Sequence, residues 1–243
     1  MMGQVKKPLE EVLGYLEKRK KIVIIGCGGC ATIFHTGGKE QVKEMTEILE
    51  KEGKEVLAQI PLPFGVFCCY LPMSSIFLKQ HIEEIENCDA IVGMSCGDGL
   101  QAVRHFLEEQ NIFKPVYPSN DALGFFGEGP SKFIEKCMGC GECELGKTAG
   151  ICPLTQCAKG LLNGPCGGTR EDGKCEVDPD KDCAWYLIYK RLEKLGEIKE
   201  LYRINSPHNW KKAVRPRKLE VEPIDLMEKL KETKKVIESL GIK

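Results

Sequence analysis

The stretch KIVIIGCGGC, residues 21–30, decides the fold of the first part of the chain. Its four consecutive apolar residues at 22–25 predict a short buried strand. The glycines that follow predict a tight turn, and they bring Cys27 and Cys30 to the end of that strand. The motif GCGGC matches neither G-x-G-x-x-G nor the phosphate-loop pattern. The turn therefore does not predict a nucleotide or flavin site in this chain.

Strands and helices alternate outward from this stretch. Alternation with short crossovers predicts an α/β fold with an open, mostly parallel sheet and helices on both faces. We therefore expect residues 1–130 to form a small three-layer sandwich, either flavodoxin-like or half-Rossmann. The predicted strands are 21–25, 55–60, 90–94 and 115–117, and the predicted helices are 9–19, 39–52, Ser74 or Ser75 to 86, and 100–109.

Composition and charge exclude several classes of function. A formal net charge of −1 over 243 residues gives no electrostatic footprint for nucleic acid. No apolar run reaches the roughly 18 residues of a membrane span, and no signal-peptide pattern opens the chain. We therefore expect a cytoplasmic protein without a membrane or nucleic-acid partner. Fourteen cysteines in such a chain favour metal or redox chemistry over a disulfide framework.

Eight of the cysteines fall between residues 137 and 183 and define a second region, residues 131–200, which we expect to be an irregular cysteine-rich module. A [4Fe–4S] cluster needs four thiolates, and the spacing C-x2-C-x2-C supplies three of them from one loop. A cysteine followed by proline, as in Cys152-Pro153, is also found at the end of ferredoxin motifs. Eight thiolates predict two [4Fe–4S] clusters. The ligands are Cys137, Cys140, Cys143, Cys152, Cys157, Cys166, Cys175 and Cys183.

The spacing leaves the division of these ligands open. Cys137, Cys140 and Cys143 are expected to share one cluster, and Cys157 and Cys166 the other. The three remaining cysteines could complete either set. Structural zinc is the main alternative, but zinc sites usually consist of two separated C-x2-C pairs, and beyond the opening triplet no second close pair exists.

The cysteines of the first region follow predicted strands. Cys27 and Cys30 follow the first, Cys68 and Cys69 the second, and Cys96 the third. The carboxyl ends of parallel strands share one edge of the sheet, so these thiols predict a further metal site for zinc or a third cluster. Its expected ligands are Cys27, Cys30, one of Cys68 and Cys69 (Cys69 in our assignment), and Cys96. The alternative is that they are buried small hydrophobic residues, as we expect for Cys88.

No acid–base pair or activated nucleophile is recognisable. His35 and His81 lack companions for catalysis, and Asp98 between two glycines is interpreted as a turn residue and helix cap. We therefore expect no catalytic residues and a chain that carries electrons. The tail, residues 201–243, is predicted to be an extended arm followed by a helix at 223–240. The arm is either a solvated linker or a docking segment with Trp210 as its anchor.

The segments TAGICPLTQCAKGLLNGPCGG and DCAWYLIYKRL, within residues 148–193, resemble the C-terminal domain of methylenetetrahydrofolate reductase. The earlier segments IGCGGCATIFHTGGKEQV, IPLPFGVFCCY and GMSCGDG resemble the rest of the small subunit of two-subunit reductases of acetogens and related anaerobes. The resemblance covers roughly residues 20–200.

The resemblance implies a non-catalytic, iron–sulfur subunit. Its partner would be a separate (β/α)8 barrel subunit that carries flavin (FMN or FAD) and reduces 5,10-methylenetetrahydrofolate in one-carbon metabolism, including the Wood–Ljungdahl pathway. The eight cysteines of the module would be cluster ligands, and an electron-donor protein or complex would feed them. Two other hypotheses are a zinc-stapled scaffold subunit of the same reductase and a stand-alone enzyme that uses the thiolates of the first domain.

Overall fold

The computed structural model describes residues 2–126 and 133–219. The chain divides into two compact units. The larger unit comprises the chain up to Gly139 together with Cys143–Ser206, and the smaller comprises Cys140–Glu142 together with the chain from Pro207. The predicted helix at 223–240 lies outside the described residues.

Strands and helices alternate through the larger unit, as the sequence predicts. In chain order the strands and α-helices are β1 Met2–Lys6, α1 Leu9–Tyr15, β2 Lys21–Gly26, α2 Cys30–Ile33, α3 Lys39–Lys51, β3 Glu55–Pro61, α4 Leu71–Lys79, α5 Ile82–Asn87, β4 Ala90–Met94, α6 Gly97–Glu109, β5 Val116–Pro118, β6 Asn120–Phe126, β7 Glu135–Cys137, α7 Pro153–Gln156 and α8 Ala184–Leu195. Short 3-10 helices follow at Leu145–Lys147, Ile198–Tyr202 and Trp210–Ala213.

A four-stranded sheet forms the centre of the α/β region. Its strands are all parallel and lie in the order β3-β2-β4-β5. The chain passes from β2 to β3 on one side of β2 and then crosses to β4 on the other side. Because the strand order changes direction at this point, a crevice opens at the carboxyl ends of β2 and β4. The predicted mixed α/β fold with a parallel sheet is confirmed.

Both faces of the sheet are buried, because successive side chains of a strand point to opposite faces. Ile22 and Ile24 pack with residues of α1 and α3, whereas Val23 and Ile25 pack with residues of α4, α5 and α6. All four side chains are at most 1% exposed. The run of apolar residues at 22–25 is therefore continuous because neither face meets solvent.

A second sheet is present that the sequence did not predict. β1, β6 and β7 are antiparallel, in the order β1-β6-β7. Strand β1 has the sequence MGQVK and pairs with a strand that lies more than a hundred residues later. A strand with so few apolar residues carries no clear period of its own, so only this distant pairing identifies it.

The prediction of one helix from Ser74 or Ser75 to residue 86 was wrong. Two helices, α4 and α5, occupy this stretch, and α4 begins at Leu71 with Pro72 in its first turn. Proline is favoured there because its missing N–H has no partner in a first turn. Ser74 lies inside α4, and its hydroxyl donates to Tyr70 O at 3.2 Å.

Two further helix ends differ from the prediction. α1 ends at Tyr15, four residues before the predicted end. α6 begins at Gly97 with Cys96 as its N-cap, so Asp98 lies in the first turn and does not cap the helix. A carboxylate in the first turn still interacts favourably with the helix dipole.

Candidate functional site

Four cysteines of the module line one small cavity in the larger unit. They are Cys157, Cys166, Cys175 and Cys183. The remaining wall residues are Lys159, Pro165, Gly168, Thr169, Glu176, Ala184 and Trp185. The structure therefore brings together the last four of the eight predicted ligands.

Backbone hydrogen bonds between the two sides of a short loop position two of these thiols. The Cys175 N–H donates to Lys181 O at 2.8 Å, and the Cys183 N–H donates to Gly173 O at 2.9 Å. These bonds hold Cys175 and Cys183 on the two facing sides of a narrow loop. Cys183 is also the N-cap residue of α8, so the start of that helix fixes its backbone.

Helix α7 carries a cysteine at each end. Cys152 is its N-cap and Cys157 its C-cap, and five residues of helical rise separate them by about 7 Å along the axis. Thr155 and Gln156 donate to carbonyls of β7 at 2.9 and 2.6 Å. Strand β7 ends at Cys137. Cys157 faces the four-thiol cavity, whereas Cys152 lies at the opposite end of the helix.

Polar side chains contact two of the cavity thiols. The Thr169 hydroxyl lies 3.1 Å from Cys183 Sγ. The Cys166 thiol donates to Glu176 Oε1 at 3.2 Å, and Lys159 pairs with the same carboxylate. The Lys159 ammonium, followed by the Cys166 thiol, lowers the pKa of Glu176. The cavity therefore has both a hydroxyl and an ion pair beside its sulfur atoms.

A small apolar cluster supports the cavity from one side. Trp185, Ile188 and Leu192 of α8 are 5% exposed or less, and Cys157 and Cys183 pack against them. The indole N–H of Trp185 donates to Leu161 O at 2.9 Å. The helix ends at Gly196 in the left-handed conformation that is common for glycine at the end of a helix.

A second group of thiols lies at the carboxyl edge of the parallel sheet. Cys27 and Cys68 are both buried in the same apolar cluster. The Cys68 thiol and backbone N–H groups hold the pKa of Cys27 down at about 6 against the effect of burial. The Cys27 thiol, followed by burial, raises the pKa of Cys68.

The other thiols at this edge have different surroundings. Cys30 Sγ accepts a hydrogen bond from Met2 N at 3.3 Å. Burial, followed by the charge of Asp98, raises the pKa of Cys69 to about 11. Burial likewise raises the pKa of Cys96. The predicted set of Cys27, Cys30, Cys69 and Cys96 thus lies near this edge of the sheet.

Cys88 is a core residue, as expected. It is 2% exposed, and its thiol donates to Ile85 O at 3.2 Å.

The smaller unit contains its own polar cluster. The Glu142 carboxylate accepts from Asn209 N at 2.6 Å and from Lys212 Nζ at 3.0 Å. The Asn209 N–H, followed by the Lys212 ammonium, lowers the pKa of Glu142. The His208 and Trp210 rings pack edge to face with centroids 4.6 Å apart. These contacts give the predicted arm a local structure around residues 208–212.

Sequence reasoning missed three side chains of the four-thiol cavity. Thr169, Lys159 and Glu176 are polar residues in an irregular segment, and no spacing rule links them to a cysteine. The doublet Cys68-Cys69 was a signal for the sheet edge, but only the fold shows that Cys68 is buried in the core.

Membrane spans were sought in residues 2–126 and 133–219. No helix there combines the length and the apolar character that crossing a bilayer requires.

Together these features describe an α/β domain followed by a cysteine-rich module with a thiol-lined cavity. Residues 117–211 match the family described as "Methylene-tetrahydrofolate reductase C terminal". The match covers less than half of the chain and contains the whole module. Searches of curated proteins and of solved structures found no match. The family match supports the resemblance seen in the sequence and a role connected with methylenetetrahydrofolate reductase, an oxidoreductase of one-carbon metabolism.

Proposed function

We propose that this chain is the iron–sulfur electron-transfer subunit of a methylenetetrahydrofolate reductase. It would act in the cytoplasm and pass electrons from a donor protein or complex to the flavin of a separate catalytic subunit. One observation carries the proposal: four thiols line a single cavity in the region that matches the reductase family. The chain itself would not be the catalyst.

The donor set of the cavity fits a [4Fe–4S] cluster. Such a cluster takes four cysteine thiolates, one at each iron. The set would be Cys157, Cys166, Cys175 and Cys183. The other four predicted ligands, Cys137, Cys140, Cys143 and Cys152, would then form the second set. The position of Cys152, at the far end of α7 from Cys157, supports its separation from the first set.

The separations of the thiols also favour clusters over single zinc ions. Tetrahedral zinc with Zn–S bonds of about 2.3 Å holds its sulfur atoms about 3.8 Å apart. Within residues 2–126 and 133–219, no three thiols lie within 4.8 Å of one another. Because a cluster binds each thiolate at a different iron, it accommodates sulfur atoms that lie farther apart. Two clusters would supply one-electron steps, whereas a flavin exchanges two electrons with its substrate.

The residues of the cavity would tune such a cluster. Hydrogen bonds to ligand sulfurs and nearby charges set the reduction potential. The Thr169 hydroxyl is placed to donate to Cys183 Sγ. Lys159 would offset negative charge beside Cys166, because its ammonium already pairs with the carboxylate that contacts this thiol. Trp185 and Pro165 would limit the access of water.

The proposal is tested by comparing Cys166→Ser with Cys88→Ala in anaerobically purified protein. Cys166→Ser removes a cavity thiol, so we expect loss of about half the iron and of one set of paramagnetic signals. Cys88→Ala removes a core thiol and should keep all the iron. Equal iron in both variants would contradict the ligand assignment, and colourless wild-type protein with stoichiometric zinc would favour the scaffold role.

The expected partner gives a second readout. The loaded protein should form a stable complex with the flavin-containing catalytic subunit and reduce its flavin when a reductant is supplied. Complex formation without flavin reduction would limit the chain to a structural role. The same metal analysis would test the expected site of the first domain, whose ligands are Cys27, Cys30, Cys69 and Cys96. Metal that stays bound after the iron of the module has been removed would be assigned to this site.

A further inference from the structure

Residues 207–217 form a segment, the clasp, that contacts the cysteine loop at residues 140–142. Both segments belong to the smaller unit. The sequence left open whether this part of the tail is a solvated linker or a docking segment, and the proposed electron transfer gives it no role. Its contacts within the unit indicate a third role.

The Glu142 side chain is the centre of these contacts. Its Oε2 accepts from the Asn209 N–H at 2.6 Å, and its Oε1 accepts from the Lys212 ammonium at 3.0 Å. The His208 Nδ1 lies 3.4 Å from the same Oε2, and the His208 side chain is fully buried. Because hydrogen bonds to an ionised group are stronger than neutral ones, this carboxylate ties the clasp firmly to the loop.

The backbone of the clasp is folded so that it can make these contacts. The Lys212 N–H donates to Asn209 O at 3.0 Å, and the Lys211 N–H donates to Asn209 Oδ1 at 3.2 Å. The edge-to-face packing of the His208 and Trp210 rings supports the same turn. The turn thereby presents the Asn209 N–H and the Lys212 ammonium to one carboxylate.

The loop is restricted from its own side as well. Gly141 has a φ of +86°, and a Cβ there would lie 2.8 Å from Lys212 O and 3.0 Å from Arg217 Nη1. The clasp therefore passes so close to the loop backbone that glycine is required at this position. The Cys140 thiol donates to Glu142 O at 3.3 Å, so the residue that the clasp holds also contacts an expected cluster ligand.

We propose that the clasp is a positioning element that holds Cys140 and its loop in the conformation that binds the second cluster. This inference rests on the proposed function, in which Cys140 and Cys143 are ligands on either side of Glu142. Residues 140–142 lie in no helix or strand, so the contacts with the clasp fix their conformation within the smaller unit. Residues that orient metal ligands typically contribute about 10- to 100-fold to metal affinity.

The first test uses the wild-type protein, purified whole and without oxygen. If the clasp favours the loop conformation that binds the cluster, the bound cluster must in turn stabilise the clasp. Trypsin should therefore cleave after Lys211 and Lys212 slowly in the loaded protein, and at least about tenfold faster once iron has been removed. Cleavage after Lys18, in the turn that follows α1, is the control and should not change. Equal cleavage of the clasp with and without iron would overturn the proposal.

Variants separate the clasp from the rest of the module. Glu142→Ala should release about half of the iron to a chelator roughly tenfold faster than the wild type, and the other half at the wild-type rate. The unchanged half shows that the variant is folded. Glu142→Gln keeps an acceptor for the Asn209 N–H and should have a smaller effect, whereas Lys211→Ala removes the neighbouring lysine and should match the wild type.

The reduction potential of the second cluster distinguishes positioning from general destabilisation. Glu142→Gln removes a negative charge next to two ligands and should raise the potential, whereas Lys212→Gln removes a positive charge and should lower it. Shifts of the same sign, or iron release at the wild-type rate in Glu142→Ala, would overturn the proposal. Wild-type protein without iron would overturn the proposed function as well, whereas about eight irons with unaltered release in every variant would overturn the clasp alone.

Discussion

The two cysteine-bearing regions of the larger unit are stabilised in different ways. In the α/β region, β2 and β4 are buried on both faces, and their side chains form two large apolar clusters with those of the surrounding helices. In the module, the buried apolar cluster consists of Trp185, Ile188 and Leu192. Burial of apolar side chains alone can therefore stabilise the first region. The apolar core of the second region is too small to order its long irregular loops. The comparison indicates that the module depends on whatever its thiols bind.

Removal of the bound metal should produce the largest difference in stability between the two regions. Because metal binding and folding are coupled in small metal-dependent modules, we expect residues 143–196 to lose nearly all protection from hydrogen exchange when iron is chelated. Strands β2 and β4 should keep theirs. Exchange measured by mass spectrometry, before and after chelation, checks this. If the module stayed protected from exchange without metal, the claim that it depends on bound metal for its order would be contradicted.

Single core substitutions should then affect the two regions differently. Ile24 and Ile188 are both 0% exposed. Ile24→Ala should lower the free energy of unfolding of the α/β region by about 2–5 kcal/mol and leave iron retention unchanged. Ile188→Ala should speed the loss of iron to a chelator, because Ile188 packs in the cluster that supports α8, the helix whose N-cap is Cys183.

Denaturant titration and the rate of iron release measure these two effects. Ile204→Ala is a suitable control, since Ile204 is 90% exposed and its truncation should change neither quantity appreciably. Iron release that responds equally to Ile24→Ala and Ile188→Ala would show that the regions are not separately stabilised.

The smallest expected effect is on the potential of one cluster. Thr169→Val removes the hydroxyl 3.1 Å from Cys183 Sγ while keeping the shape of the side chain. A hydrogen bond worth about 0.5–1.5 kcal/mol to the reduced form corresponds to a fall of roughly 20–60 mV for one electron. Thr169→Ser should retain the wild-type potential. A redox titration followed by electron paramagnetic resonance distinguishes them, and identical potentials in all three proteins would exclude this role of Thr169.

The central sheet could be predicted from the sequence because its two middle strands, β2 and β4, are nearly continuous apolar runs. The strand at Ala90–Met94 was predicted with its observed bounds. The antiparallel sheet could not be predicted, because β1 has little apolar character and its partner lies more than a hundred residues away. Local pattern carries no information on such a pairing.

The candidate sites show the same division. Residue type and spacing identified the eight cysteines of the module, but grouping them required the fold. Cys157 and Cys183 are far apart in the sequence, and a helix end and a narrow loop bring them to one cavity. The sequence also does not indicate which of Cys68 and Cys69 is buried in the core, because adjacent residues in a loop give no signal for that.

The most direct test of the electron-transfer role is the metal content of the wild-type protein, isolated anaerobically from its native host. The account predicts about eight irons per chain and paramagnetic signals of reduced [4Fe–4S] clusters after addition of dithionite. Protein without iron, whose module thiols hold zinc instead, would contradict it.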